Sequence, residues 1–117
     1  MINIVSSIYP YRLNIKEKEP VELIVRITNK GNETKLLSYD IILDNDLSLD
    51  KSGLKKAAGQ RIGEVKPDET KIFKFPIYAF QGIKPGSHDV MFAVNEHYLD
   101  YSQLSERTEK IIQVKSF

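Results

Sequence analysis

The chain has no cysteine and no tryptophan, and only two histidines among its 117 residues. Without cysteine there is no disulfide framework, no thiolate metal site and no thiol nucleophile. His88 and His97 alone do not make a multi-histidine centre, and neither a metal nor a cofactor is expected. An excess of charge is also missing, since 17 basic residues stand against 16 acidic ones for a net charge of +1. No overall field therefore draws the chain to nucleic acid or to anionic lipid. No apolar run approaches the ~20 residues of a membrane-crossing helix, so no membrane partner is expected either. The start, Met1 to Pro10, lacks the basic beginning and the unbroken apolar stretch of a signal peptide. A cytoplasmic protein is the expectation if Met1 is the native start; for an excised module the compartment stays open.

What the sequence does have is a period of two. Val21, Leu23, Val25 and Ile27 alternate with Glu22, Ile24, Arg26 and Thr28, then break at Asn29-Lys30-Gly31-Asn32. That is the pattern of a half-buried strand entering a turn. Leu37, Tyr39, Ile41 and Leu43 repeat it, as do Phe73, Phe75 and Ile77 after Lys66-Pro67-Asp68-Glu69. Val90, Phe92 and Val94 follow Lys84-Pro85-Gly86, and Ile112 with Val114 closes the series. Ile2 and Ile4 form one half of a broken edge strand, Leu13 and Ile15 the other. Short strands parted by turn signals predict an all-β, antiparallel, immunoglobulin-like β-sandwich of about seven strands. The length suits one domain over 1–117.

Residues 46–58 predict a short helical or irregular connection, with Leu47, Leu54, Ala57 and Ala58 loosely on one face and Gly59 as the stop. Ile24, Ile42, Ile72 and Met91 fall on nominal outer faces. They are either part-covered by neighbours or an interface for a second copy on one sheet.

Familiar chemical motifs fail on geometry. Ser87-His88-Asp89 has the letters of a hydrolytic triad, but consecutive strand residues point to opposite faces. His88, in phase with Val90 and Phe92, is expected at the core's edge, bonding to backbone. Asp44, Asp46, Ser48 and Asp50 have the every-other spacing of a calcium loop's first half. Leu49 and Lys55 stand where that loop needs glycine and glutamate, so the run predicts a turn and a helix cap. Gly59-Gln60-Arg61-Ile62-Gly63 lacks the Gly-Lys-Ser/Thr of a phosphate loop. Lys51, Lys55, Lys56 and Arg61 are interrupted by apolar residues and read as a solvated face rather than a nucleic-acid contact. Asn32-Glu33-Thr34 matches the glycosylation pattern, which has no meaning without export.

Three segments carry a likeness. Pro20 to Gly31 reads as a second strand ending in an Asn-x-Gly turn. Ile62 to Thr70 reads as a link into a strand of alternating aromatics, and Pro85 to Val90 as a proline-glycine turn launching the penultimate strand. In these features the chain resembles the CARDB-like (cell-adhesion-related) immunoglobulin-like domains. A weaker likeness, over Ser38 to Ile77, is to the late-embryogenesis-abundant type of sandwich. His88 stands where the CARDB-like pattern has tyrosine. Both resemblances imply a β-sandwich without catalysis.

With immunoglobulin-like strand order, the loops Asn29 to Thr34, Lys66 to Thr70 and Asn95 to Glu106 gather at one end. That end predicts a binding surface of Asn32, Lys66, Asp68, Glu69, Glu96, His97, Tyr98, Asp100 and Tyr101. Tyrosine gives contact area at low entropic cost, although Tyr98 and Tyr101 can equally fold the long loop back onto the sandwich. The expected function is a non-catalytic interaction or spacer module for protein or glycan, not an enzyme. One alternative is a carbohydrate-binding module, which the lack of tryptophan disfavours. The other is an enzyme with an unfamiliar carboxylate site drawn from Asp68, Glu96 and Asp100.

Overall fold

Two four-stranded antiparallel sheets pack face to face in the computed structural model, which describes residues 1–16, 19–80 and 82–117. The elements are β1 (Ile2–Tyr9), β2 (Val21–Asn29), β3 (Lys35–Leu43), β4 (Leu47–Ser48), β5 (Ala57–Val65), β6 (Thr70–Ala79), β7 (Gly86–His97) and β8 (Leu104–Ser116). One sheet has the order β1-β2-β6-β4 and the other β5-β3-β7-β8. This is an immunoglobulin-like sandwich of seven long strands and one of two residues.

Alternation builds the core. Val21, Leu23, Val25 and Ile27 of β2 are all buried and face Leu37, Tyr39 and Ile41 of β3 with Val90, Phe92 and Val94 of β7. At the centre Tyr39 stacks on Phe92 at 5.4 Å and meets Phe73 and Phe75 at 4.9 and 5.6 Å. Such offset and tilted aromatic pairs add to area burial because ring edges meet ring faces. The Tyr39 hydroxyl still reaches Gln60 Oε1 at 3.1 Å, so the inserted phenol keeps a partner. Burial pushes its pKa up.

The first strand is broken, as its two apolar pairs imply. Ile2 to Tyr9 pairs with β2, the Tyr9-Pro10 peptide is cis, and Leu13 then bridges Ser116 in parallel on the other sheet. Leu13 N–H donates to the Lys115 carbonyl at 2.8 Å, and Phe117 N–H donates to the Leu13 carbonyl at 3.1 Å. One segment thus covers an edge of each sheet.

The connection over 46–58 is irregular and holds no helix, so the expected helix cap is absent. Leu47–Ser48 pairs with β6 instead, and Asp50 closes the following turn by accepting the Ser48 and Ser52 hydroxyls. Hydrogen bonding by Ser48 holds the Asp50 carboxyl below its ordinary range. β5 begins at Ala57, inside that stretch. The other acids of the run have separate tasks: Asp44 Oδ2 accepts the Asp89 N–H at 2.8 Å, and Asp46 lies 3.3 Å from His88 Nδ1. His88 is buried at the core's edge while Ser87 and Asp89 are exposed. Its partners are side chains, Ser116 Oγ at 2.8 Å and Asp46, rather than the expected backbone.

Candidate binding surface

The register puts the β2–β3, β5–β6 and β7–β8 connections at one end, as Asn29, Val65, Thr70 and His97 all sit at strand ends paired there. Asn29 locks the first two together. It is fully buried, donates its side-chain amide to the carbonyls of Glu33 (2.8 Å) and Val65 (2.9 Å), and accepts the Gly31 N–H (3.0 Å). Its carbonyl takes the Asp68 N–H at 2.7 Å.

The residues expected at this end divide into three groups. Asn32, Lys66, Asp68 and Glu69 belong to the clamped loops; Asn32, Lys66 and Asp68 are exposed. Glu69 accepts the Lys66 N–H, which holds its carboxyl low, and lies 3.4 Å from Lys71 Nζ. Tyr98 and Asp100 form the exposed tip of the β7–β8 hairpin, where Ser102 bonds to Asp100 and lowers its pKa. His97 and Tyr101 lie together at the hairpin base, ring edge to face at 5.1 Å.

Glu96 does not join that surface. It faces inward with 3% exposure, directly opposite Glu106, and its Oε2 has no hydrogen-bond partner. Burial, and then the Glu106 charge, pushes its pKa up. Glu96 is therefore separated from Asp68 and Asp100, which are exposed on different loops. Among the described residues no three acidic or histidine side chains are placed to hold a metal ion.

Arrangement rather than loop position makes the best-defined polar site. Ser38 and Asp40 of β3 alternate outward from Tyr39, and Asn95 of β7 is opposite Ser38. Asn95 Nδ2 donates to Ser38 Oγ and Asp40 Oδ2, both at 3.1 Å. Ser38 Oγ lies 2.7 Å from His97 Nε2, whose partner atom Nδ1 is buried without a hydrogen bond. From β8, Arg107 reaches Asp40 Oδ2 and Asn95 Oδ1 at 2.8 Å each, and Glu109 at 3.0 Å. The Arg107 bond, then that from Asn95, holds the Asp40 carboxyl low, so it stays ionised.

Beside this network a shallow hollow of about 320 Å³ opens between β3, β5 and β7, lined in part by Ser38, Asp40, Arg61, His97 and Tyr101. The Arg61 guanidinium lies 4.6 Å from the Tyr101 ring centroid. No carboxylate pairs with Arg61 among the described residues. Gly59 leaves little room here: a Cβ at this position would come within 2.8 Å of Asp40 Oδ1 and 3.2 Å of the Tyr39 carbonyl, so Asp40 would have to shift. Ser38, Asp40 and Asn95 escape a motif search because each is one outward position on a strand otherwise read for its inward residues. Arg61 reads in sequence only as part of a solvated basic face, because Ala57-Ala58-Gly59 hides the strand that carries it.

Several apolar residues do stay on outer faces. Ile24 and Met91 are half-buried, whereas Ile42 and Ile72 are 46% and 54% exposed. Ile42, Met91 and Ile111 are cross-strand neighbours and form one row over β3, β7 and β8.

No family model matches the chain, and no curated protein matches it in sequence. Solved structures do match in shape. An α-2-macroglobulin from Escherichia coli, spanning domain MG7 to the C-terminus, is 14% identical with a TM-score of 0.74; the match covers 100% of this chain and 16% of that one. A FixG-related protein from Vibrio parahaemolyticus is 12% identical with a TM-score of 0.59, covering 98% of this chain and 95% of that chain. MyfA, the major subunit of Myf fimbriae from Yersinia enterocolitica, is 10% identical with a TM-score of 0.55, covering 97% and 98%. At such identities the likeness concerns the fold, and function belongs to the site grafted on it. The chain has an immunoglobulin-like β-sandwich fold, similar to a domain-sized part of a bacterial α-2-macroglobulin and to a fimbrial subunit.

Proposed function

We propose that the chain is a non-catalytic interaction module of the CARDB-like kind, meeting a protein or glycan partner through the hollow between β3, β5 and β7. The observation that carries this reading is Arg61, a guanidinium with no acid partner among the described residues, stacked on Tyr101 beside the Ser38–His97 pair. A planar donor fork held on an aromatic ring is pre-organised for an oxygen-rich ligand, and little of its freedom is lost on binding. Arg107 has its acids already, so Asp40, ionised and paired with it, does not compete for Arg61.

The test is a titration of isotope-labelled protein with acidic dipeptides and with acidic and neutral monosaccharides, followed by amide shifts. Shifts should cluster at Ser38, Gly59 to Arg61, His97 and Tyr101, and Arg61→Ala should abolish them while the unfolding midpoint falls by no more than a few degrees. Responses confined to the opposite end, around Leu54 and Phe80, would reject the reading.

Self-association through the outer face of the β5-β3-β7-β8 sheet is a second reading, favoured by the row of Ile42, Met91 and Ile111. A concentration-independent monomer in sedimentation would remove it.

A further inference from the structure

We propose that β5 is a docking edge for an extended peptide segment of another protein, which adds to the sheet as a further strand with an acidic side chain opposite Arg61. This deepens the interaction role above, and uses the strand beside the hollow rather than the hollow itself.

β5 is the terminal strand of its sheet, with β3 on one side and no strand on the other among the described residues. The ladder shows which backbone groups are free. Leu43 N–H donates to the Lys56 carbonyl at 2.7 Å, so that pair bonds across β3 and β5. Antiparallel pairs alternate between bonded and non-bonded. Ile41 with Ala58 and Tyr39 with Gln60 are then the next bonded pairs, and Ala57, Gly59 and Arg61 turn their N–H and C=O outward. The other flank of β3 agrees: Asp44 N–H donates to the Asp89 carbonyl, which assigns Ile42, Asp40 and Ser38 to the ladder with β7.

The same three residues present their side chains on the outer face, opposite Ile42, Asp40 and Ser38. Two of them, alanine and glycine, leave a flat backbone that a neighbouring strand can approach. Edge strands are ordinarily blunted by charge, proline or a bulge. Here the straight part from Ala57 to Arg61 has no proline and one charge, and the bulge comes only beyond it, where Gly63 has a φ of 94°.

That one charge selects the occupant. Among the described residues Arg61 has no acid partner, and strands added to an edge take affinity from backbone bonds and specificity from alternate side chains. A carboxylate directly across a ladder from arginine is the favoured cross-strand pair. A second copy fits less well. Pairing the straight part of β5 with itself about a twofold axis sets Arg61 against Ala57, Gly59 or the other Arg61. Only Glu64 can supply an acid, and that register lays one Gly63 bulge against the other, where neither ladder is regular.

The probes are two synthetic peptides, Thr-Val-Thr-Glu-Thr-Val-Thr-Val-Thr, which reaches Ala57 when it pairs antiparallel with its glutamate opposite Arg61, and the same sequence with lysine in place of glutamate, added to labelled protein. The glutamate peptide should slow amide exchange at Ala57, Gly59 and Arg61, with Ala58 and Gln60 little changed because β3 already bonds them. It should bind at least fivefold tighter than the lysine peptide, and Arg61→Glu should reverse that order. Ala57→Pro removes one outward donor without touching the β3 ladder and should weaken binding several-fold at unchanged fold. Equal binding of both peptides, or absence of the alternating protection, would overturn the proposal. So would protection of the three amides that rises with protein concentration alone, which assigns the edge to a second copy. If the peptides fail while small acidic ligands still shift the hollow's amides, the edge is wrong and the interaction role stands.

Discussion

The side-chain amide of Asn29 donates to the Val65 carbonyl at 2.9 Å, across 36 residues of sequence and entirely inside the protein. A residue that looks like ordinary turn material therefore ties the end of β2 to the end of β5. Asn29→Ala would leave two carbonyls and the Gly31 N–H short of a partner. Buried polar groups stripped of their bonds cost ~1–3 kcal/mol each, partly recovered by water at this end of the molecule. We expect a loss of about 2–4 kcal/mol in urea unfolding. Asn29→Asp should be worse, since it sets a carboxylate against two carbonyl oxygens.

Glu96 and Asp40 give opposite pH signatures. The Glu96 carboxyl titrates higher in the folded protein than in the unfolded chain, because burial and Glu106 disfavour its charge. Below the ordinary carboxyl range both states are protonated and no penalty exists; as pH rises, the unfolded chain ionises first and stability falls until the folded group also ionises. Glu96→Gln should therefore raise the unfolding midpoint by a few degrees at pH 7 and have little effect at pH 3.

Asp40 runs the other way. Its folded pKa is depressed by Arg107 and Asn95, so its contribution is present above the ordinary carboxyl range and is lost as pH falls through the folded value. The pair is partly exposed, which limits Asp40→Asn to about 0.2–1 kcal/mol at neutral pH in denaturant melts.

Tyr98 and Tyr101, equivalent in sequence terms, should separate on substitution. Tyr98 is 63% exposed, and Tyr98→Ala should change stability by no more than about 0.5 kcal/mol. Tyr101 carries the His97 edge contact and the Arg61 stack, so Tyr101→Ala should cost about 1 kcal/mol in thermal unfolding.

The centre of the core is Phe92, fully buried between Tyr39 and Phe75. Phe92→Ala should cost about 3–5 kcal/mol, because lost transfer energy and a cavity add together. Differential scanning calorimetry would show a cooperative transition at much lower temperature.

Much of the fold was legible from residue spacing. The inward sets on β2, β3, β6, β7 and β8 read directly from alternation, and the broken first strand from its two separated apolar pairs. β5 was not legible. As an edge strand it needs few large inward residues, and Ala57-Ala58-Gly59 has no period. Of the expected surface, His97 and Tyr101 proved to meet, while Glu96 turned inward in phase with Val90, Phe92 and Val94, because β7 runs on as far as His97. The period was legible there, but the length of the strand was not, since Asn95 to Glu106 reads as one long loop.

The sequence by itself determined which faces are apolar, where most turns fall and which motifs are missing, because these follow from a two-residue period and from local backbone preference. Tertiary structure alone decided that Arg61 would stack on Tyr101, that Ser38 would face His97, and that Asn29 would clamp Val65. The first two depend on the strand order β5-β3-β7-β8 and its register, the third on how the end of β2 packs against the end of β5 in the facing sheet. Together they join residues as far as 59 positions apart. No local pattern encodes a distance of that kind, since it exists only once both sheets have closed over the core.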